Sequence, residues 1–253
     1  MGGFAVLLRK ELREQWRTSR LLVVGAIFLV FGFASPLLAK YLPELLSHAD
    51  GSIQVTFATP TTRDAVDQFL KNVGNGVFVA ILLAMGAVAR EKERGTAALV
   101  LTKPVGRAAF LGAKFAALAL TFLVGVTLAG LAAYAYTVAL FDAPPAGGFA
   151  GCCALLLLAI LVYAALTFLG STLARSPLPA AGLGVSAFVA MAVLGAIPGI
   201  GRFTPGALSP AARALALGES PPDLAPALLG NAALIVIALI LSWLMFRRQE
   251  LGT

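Results

Sequence analysis

At 253 residues, with 59% hydrophobic and only 12% charged side chains, the chain is too apolar for a water-soluble domain, in which about a quarter of residues carry charge. Its net charge of +7 does not point to nucleic acid, because the cations sit next to long apolar runs, where they set membrane topology. Those runs hold no Asp, Glu, Lys, Arg or His between their ends, which argues against proton-driven carriers, ion pumps and most intramembrane enzymes, which place ionisable side chains at membrane depth.

The first element, over residues 4–18, is too charged to cross a bilayer. Phe4, Leu8, Leu12 and Trp16 recur every fourth residue, with Arg9, Lys10, Arg13, Glu14 and Arg17 on other faces. That spacing predicts an interfacial helix, Trp16 at headgroup level and the basic face toward anionic lipid; the alternative is a solvated basic leader. It runs straight into an apolar segment with no small-residue cleavage pattern, so the first crossing is expected to direct insertion itself.

Apolar runs follow near 21–39, 71–89, 115–140, 149–173, 178–197 and 225–246, each close to the roughly 20 residues that a helix needs to cross a hydrocarbon core. The expected fold is therefore an all-α polytopic membrane protein with six transmembrane helices, one transmembrane domain spanning 1–253. Fourteen of the 19 Lys and Arg residues fall on the side of the N-terminus and of the loops after the second and fourth crossings. By the positive-inside rule both termini are cytoplasmic, in the inner membrane of the cell.

Between the first two crossings, an outer loop over 41–70 is expected to hold a short helical piece, a turn at Asp50-Gly51, a strand-like alternation of Ile53, Val55 and Phe57, and a helix opening near Thr61 or Thr62 with Asp64 and Asp67 in its early turns. It either docks an extracytoplasmic protein or caps a pathway. The loop after the second crossing, over 90–107, pairs a charged start with an apolar stretch and a Pro/Gly break. Thr96 can cap a helix of about two turns, and Lys103-Pro104 ends it. Leu99, Val100 and Leu101 cannot all be solvated on so short a helix, so the segment wants a partner surface; the alternative is a topogenic basic loop with an interfacial helix. The third crossing can begin as early as Ala108 and run unusually long.

In the outer loop over 198–224, Ser209-Pro210 reads as an N-cap with a first-turn proline, Ala211 to Leu217 as a short helix and Gly218 as its stop, with Arg213 facing headgroups or water. His48 and Asp50 fall short of the three or four ligands of a metal site. Cys152 and Cys153 are read as small packing residues, and Gly125, Gly130, Gly182 and Gly184 as points of close helix approach. The polar groups within the crossings are Tyr134, Tyr136, Thr167, Ser171, Ser186 and Asn231. With no charge among them, a lipid-like, peptidic or otherwise amphipathic permeant is favoured.

The loop from Arg90 to Arg107 carries a resemblance. Glu91 and Glu93, then Arg94-Gly95-Thr96, the apolar stretch with Leu99, and Lys103-Pro104-Val105-Gly106-Arg107 with Lys114 beyond resemble the cytoplasmic loop of type 2 ABC-transporter permeases. Arg9-Lys10-Glu11-Leu12, followed by Trp16, resembles their N-terminal elbow helix. Within that group the size and loop pattern look most like the permease of the nitrous-oxide-reductase maturation transporter and its relatives. The resemblance implies that 91–103 holds a coupling helix inserted into a cytoplasmic ATP-binding subunit, with Glu91, Glu93, Gly95 and Thr96 as motif residues, and that the second and fifth crossings line a lateral or central path. It also implies a second permease chain, a copy or a paralogue. The function so implied is the permease subunit of an ATP-driven exporter. No Gly-x-x-x-x-Gly-Lys-Ser/Thr cradle is present, since Gly106, Gly112 and Lys114 lack its spacing and its hydroxyl; this chain is expected to bind no cofactor and to catalyse nothing, ATP and Mg residing in the partner. A different reading is a non-transporting anchor that passes ATPase motion to an extracytoplasmic protein.

Overall fold

The computed structural model describes residues 2–49, 59–95 and 106–249. Among them the chain is helical, without strands: α1 (Gly2–Arg17), α2 (Arg20–Ala49), α3 (Thr62–Gly74), α4 (Gly76–Ala84), α5 (Ala89–Glu93), α6 (Arg107–Leu140), α7 (Ala146–Leu173), α8 (Pro177–Gly195), two single 3-10 turns, α9 (Leu208–Ala216) and α10 (Leu224–Arg248). Six segments are long and apolar enough to cross a membrane: Arg20–Pro43, Thr62–Glu93, Arg107–Leu140, Ala146–Leu173, Pro177–Gly195 and Leu224–Arg248. This is a multi-pass membrane protein, as the hydropathy of the sequence requires.

Local chemistry sets the corners. Ser19 adopts a left-handed backbone (φ 55°) between α1 and α2, and the Thr18 hydroxyl donates to the Glu14 carbonyl (2.8 Å) at the end of α1, so the chain turns sharply into its first crossing. α2 is longer than expected, running on through Pro36 and Pro43 to Ala49, where hydropathy alone marks an end near 39. The Ser35 hydroxyl donates to the Phe31 carbonyl (2.6 Å) in the turn that Pro36 deprives of an N–H, and Asn72 of α3 donates to Ser35 (3.0 Å). The third crossing is the long one, beginning at Arg107 and covering 34 residues. The outer-loop strand expected at 53–57 lies outside the described residues.

Phe28 of α2 is fully buried at the core, edge-on to Phe122 of α6 at 6.2 Å between ring centres. Its slot is made by glycines: a Cβ on Gly76 would lie 2.5 Å from Phe28, and one on Gly125 would lie 3.1 Å from it. Gly32 lets α2 meet the backbone of α6, since a Cβ there would lie 2.8 Å from Cα of Ala129. Gly130 and Gly184 are likewise close-approach points, against Cys153 and Thr167, whereas Gly182 meets nothing within 4 Å. Gly32→Ala is expected to destabilise the fold by about 1–3 kcal/mol through forced separation of two backbones. The thermal unfolding midpoint in detergent checks this, with Gly182→Ala as the variant that should not move it.

At the end of the bundle away from the termini, α9 lies across α7 and against α3. Its Leu208, Ala211, Ala212 and Ala216 are buried. Arg213 does not face headgroups or water alone: it pairs with Asp67 of α3 at 2.6 Å, and Arg63 pairs with Glu219 at 2.6 Å. Thr62 donates to the Asp142 carbonyl at 2.9 Å. Ser209 is not the cap of α9. A 3-10 turn at Pro205–Ala207 feeds the helix directly, leaving Ala207 at the cap, while Gly218 does stop it in a left-handed conformation (φ 72°).

Candidate functional site

The end of the bundle that carries both termini concentrates the buried charge. Lys114, on the second turn of α6, is only 6% exposed and bridges Glu11 of α1 (3.1 Å) and Glu91 of α5 (2.6 Å). A long helix entering the core from this end brings its lysine inside, and a cation there must be paired. Lys114 Nζ also lies 5.1 Å from the centre of the Phe110 ring. One turn further along α1, Gln15 is buried and accepts a hydrogen bond from Thr121 of α6. The contact face of α1 is thus Leu7, Glu11 and Gln15, and the stripe expected to define the helix is turned off it. Trp16 is 61% exposed, Phe4 is exposed, and Leu8 and Leu12 are half-buried. That orientation suits a helix lying between protein and lipid.

The second crossing does not run smoothly into this region. Its helix stops at Ala84 and resumes at Ala89. A broken helix inside a membrane protein leaves backbone groups that something must satisfy, and Ser171 of α7 does so. Its fully buried hydroxyl accepts from the N–H groups of Val88 (3.0 Å) and Ala89 (2.9 Å) and donates to the Met85 carbonyl (2.8 Å). Two helix ends then flank the loop that follows. Lys92 donates to the Thr172 and Ala174 carbonyls at the C-terminus of α7 (2.5 and 3.1 Å). Arg107 donates to the carbonyls of Phe246, Arg247 and Gln249 at the C-terminus of α10 (2.9, 2.8 and 3.2 Å). Cations belong at such ends, where carbonyls are unsatisfied and the helix dipole is negative. Gln249 adds a hydrogen bond to the same Thr172 carbonyl (2.9 Å), so α7 and α10 finish at one point.

The residues singled out in the loop separate into distinct environments. Glu91 points into the protein, toward Lys114, while Glu93, Arg94 and Gly95 are exposed. Gly95 takes a left-handed conformation (φ 68°) that a side chain would strain. Thr96, Leu99, Lys103 and Pro104 lie outside the described residues. On α1, Glu11 is in the buried network, whereas Lys10 is exposed and lies 3.7 Å from Glu11. Reading the loop and the elbow-like helix as separate motifs missed that Lys114 joins them. The signal was available, because a lysine inside a long helical run needs an acidic partner. Ser171 and Gln15 had no such signal, since their role exists only once another helix breaks or docks beside them.

The profile of the family described as "ABC-2 family transporter protein" matches residues 5–251, almost the whole chain. Over 200 residues, covering 76% of this chain and 77% of the relative, the sequence is 28% identical to the "Uncharacterized transmembrane protein YxlG" of Bacillus subtilis (strain 168).

Proposed function

Because this chain belongs to the ABC-2 family of transporter proteins and is therefore a permease subunit of an ABC transporter, not itself catalytic, we propose that it couples ATP hydrolysis in a separate cytoplasmic subunit to export of a substrate. The observation that carries this reading is the mounting of the loop between α5 and α6. It leaves the bundle through Lys92 and re-enters through Arg107, each bound to the C-terminus of a different crossing, and its base is tied by Glu91 through Lys114 to α1. A push on a loop held in this way reaches α7, α10 and α1 together. The loop is then the coupling element, with exposed Glu93, Arg94 and Gly95 at its start and Thr96, Leu99, Lys103 and Pro104 within it, and α1 is the elbow helix.

Both termini and this loop face the cytoplasm in the proposed orientation, which the distribution of Lys and Arg supports. ATP and Mg reside in the partner. A second permease chain, a copy or a paralogue, completes the pathway. α8 is open to it, being buried only at Ala180 and Gly184, and Phe78 of α4 meets Phe188 of α8 at 5.5 Å on the two crossings expected to line the path. We read the overall layout as similar to that of the permease of the nitrous-oxide-reductase maturation transporter, and an amphipathic substrate is favoured.

Purification of the tagged chain from native membranes in mild detergent is the direct test. A stoichiometric ATP-binding subunit with ATPase activity is expected. Glu93→Lys combined with Arg94→Glu should lower its recovery about fivefold, as loss of exposed ion pairs does, with membrane insertion unchanged. An ATPase-free oligomer that survives several detergents would overturn the reading. The ion-paired outer layer of α3 and α9 favours a second one, an anchor handing ATPase motion to an extracytoplasmic protein. Export that persists after removal of residues 44–66 would exclude it.

A further inference from the structure

We infer that a cavity at the end bearing the termini, between α1, the start of α2 and the break in the second crossing, binds the phosphate headgroup of an anionic lipid. The cavity measures about 270 Å3, and its charges fall into two sets. Lys114 is satisfied by Glu11 and Glu91, and Lys10 lies beside Glu11, so these two lysines already have acidic partners. That leaves Arg20, Arg90 and Arg94 lining the same space with one further carboxylate, Glu14. Among the described residues none of the three guanidinium groups has an acidic oxygen within 4.0 Å. Residues 96–105, which follow Arg94, contain no Asp or Glu. Arg20 and Arg90 are half-buried, and cations withdrawn from water without a counter-charge among the described residues draw an anion.

The break in the second crossing shapes the pocket. A Cβ on Gly86 would lie 3.2 Å from Nη2 of Arg90, so the guanidinium rests directly over main chain at the wall of the cavity. Position selects a lipid as the source of the anion. α1 exposes Phe4, Val6 and Trp16, turns at Ser19, and delivers Arg20 as the first residue of the first crossing. The arginines therefore stand at headgroup depth, where a phosphate can take the bidentate geometry that guanidinium offers.

Native mass spectrometry of the full chain, titrated with phosphatidylglycerol and separately with phosphatidylcholine of the same acyl chains, tests this. Phosphatidylglycerol should be retained preferentially, and Arg20→Gln or Arg90→Gln should each weaken retention about fivefold. Arg248→Gln, at the same end but outside the cavity, should change nothing. Gly86→Leu fills the space without altering charge and should lose retention comparably; unfolding midpoints identify any variant that has lost its fold, and Arg20→Gln and Gly86→Leu report on different elements. Equal retention of the two lipids, or equal losses in Arg20→Gln and Arg248→Gln, would overturn the assignment. Displacement of phosphatidylglycerol by equimolar inorganic phosphate would overturn the lipid assignment and leave a site for soluble phosphate.

Discussion

Lys114→Met is expected to lower stability by about 3–5 kcal/mol, the cost of removing the central cation of a buried ion-pair network. Glu11 and Glu91 are 13% and 17% exposed, so neither carboxylate recovers full hydration when the lysine is lost. Thermal unfolding of the purified chain measures the effect. The triple variant Lys114→Met, Glu11→Gln, Glu91→Gln should recover most of the loss, because neutral side chains in the same space bury no charge. A wild-type midpoint for Lys114→Met would mean that the network is not a structural tie. The proposed function gives a second readout: α1 should loosen from α6, and, if the chain couples to an ATPase as proposed, ATP turnover of the complex should fall with it. Charge reversal at Glu91 would report on this same network, which is why the docking test uses Glu93 and Arg94.

Ser171→Ala should cost about 3 kcal/mol or more, since two buried N–H groups and one carbonyl lose their partner at once and each unsatisfied group carries a penalty of about 1–3 kcal/mol. The three contacts run from one hydroxyl to Met85, Val88 and Ala89, so the change falls on the joint between the second crossing and the loop. Hydrogen exchange should speed up at the amides of Val88 and Ala89 with α7 itself still protected. Unchanged exchange there would remove Ser171 from the joint. Under the proposed coupling, the expected phenotype is ATP turnover that persists while substrate movement drops, because the exposed start of the loop is untouched while its joint to the bundle is slack.

Much of this was readable in the residues. Long uncharged runs marked the crossings, and the four-residue recurrence of Phe4, Leu8, Leu12 and Trp16 marked α1, because both signals are local. Gly218 stopped α9 where expected. The cap at Ser209 was misplaced because a 3-10 turn already supplied helical geometry before it. The end of α2 was misplaced because apolarity fades before the helix does. Arg213 reads in isolation as a solvent-facing cation, and only the packing of α9 beside α3 gives it Asp67.

By itself, then, the sequence determined a membrane protein of six helical crossings with a basic helix ahead of them, because hydrocarbon demands internally satisfied backbone and about 20 apolar residues per helix. Tertiary structure alone decided that Glu91 turns inward while Glu93 turns out, that Ser171 mends the break in the second crossing, and that Lys92 and Arg107 fasten one loop to two different helices. The physical reason is range. Hydropathy and turn chemistry are properties of neighbours in the chain, whereas a buried charge or an orphaned amide is satisfied by whatever the fold places within 3 Å or so, and Ser171 and Arg107 find their partners 83 and 139 positions away.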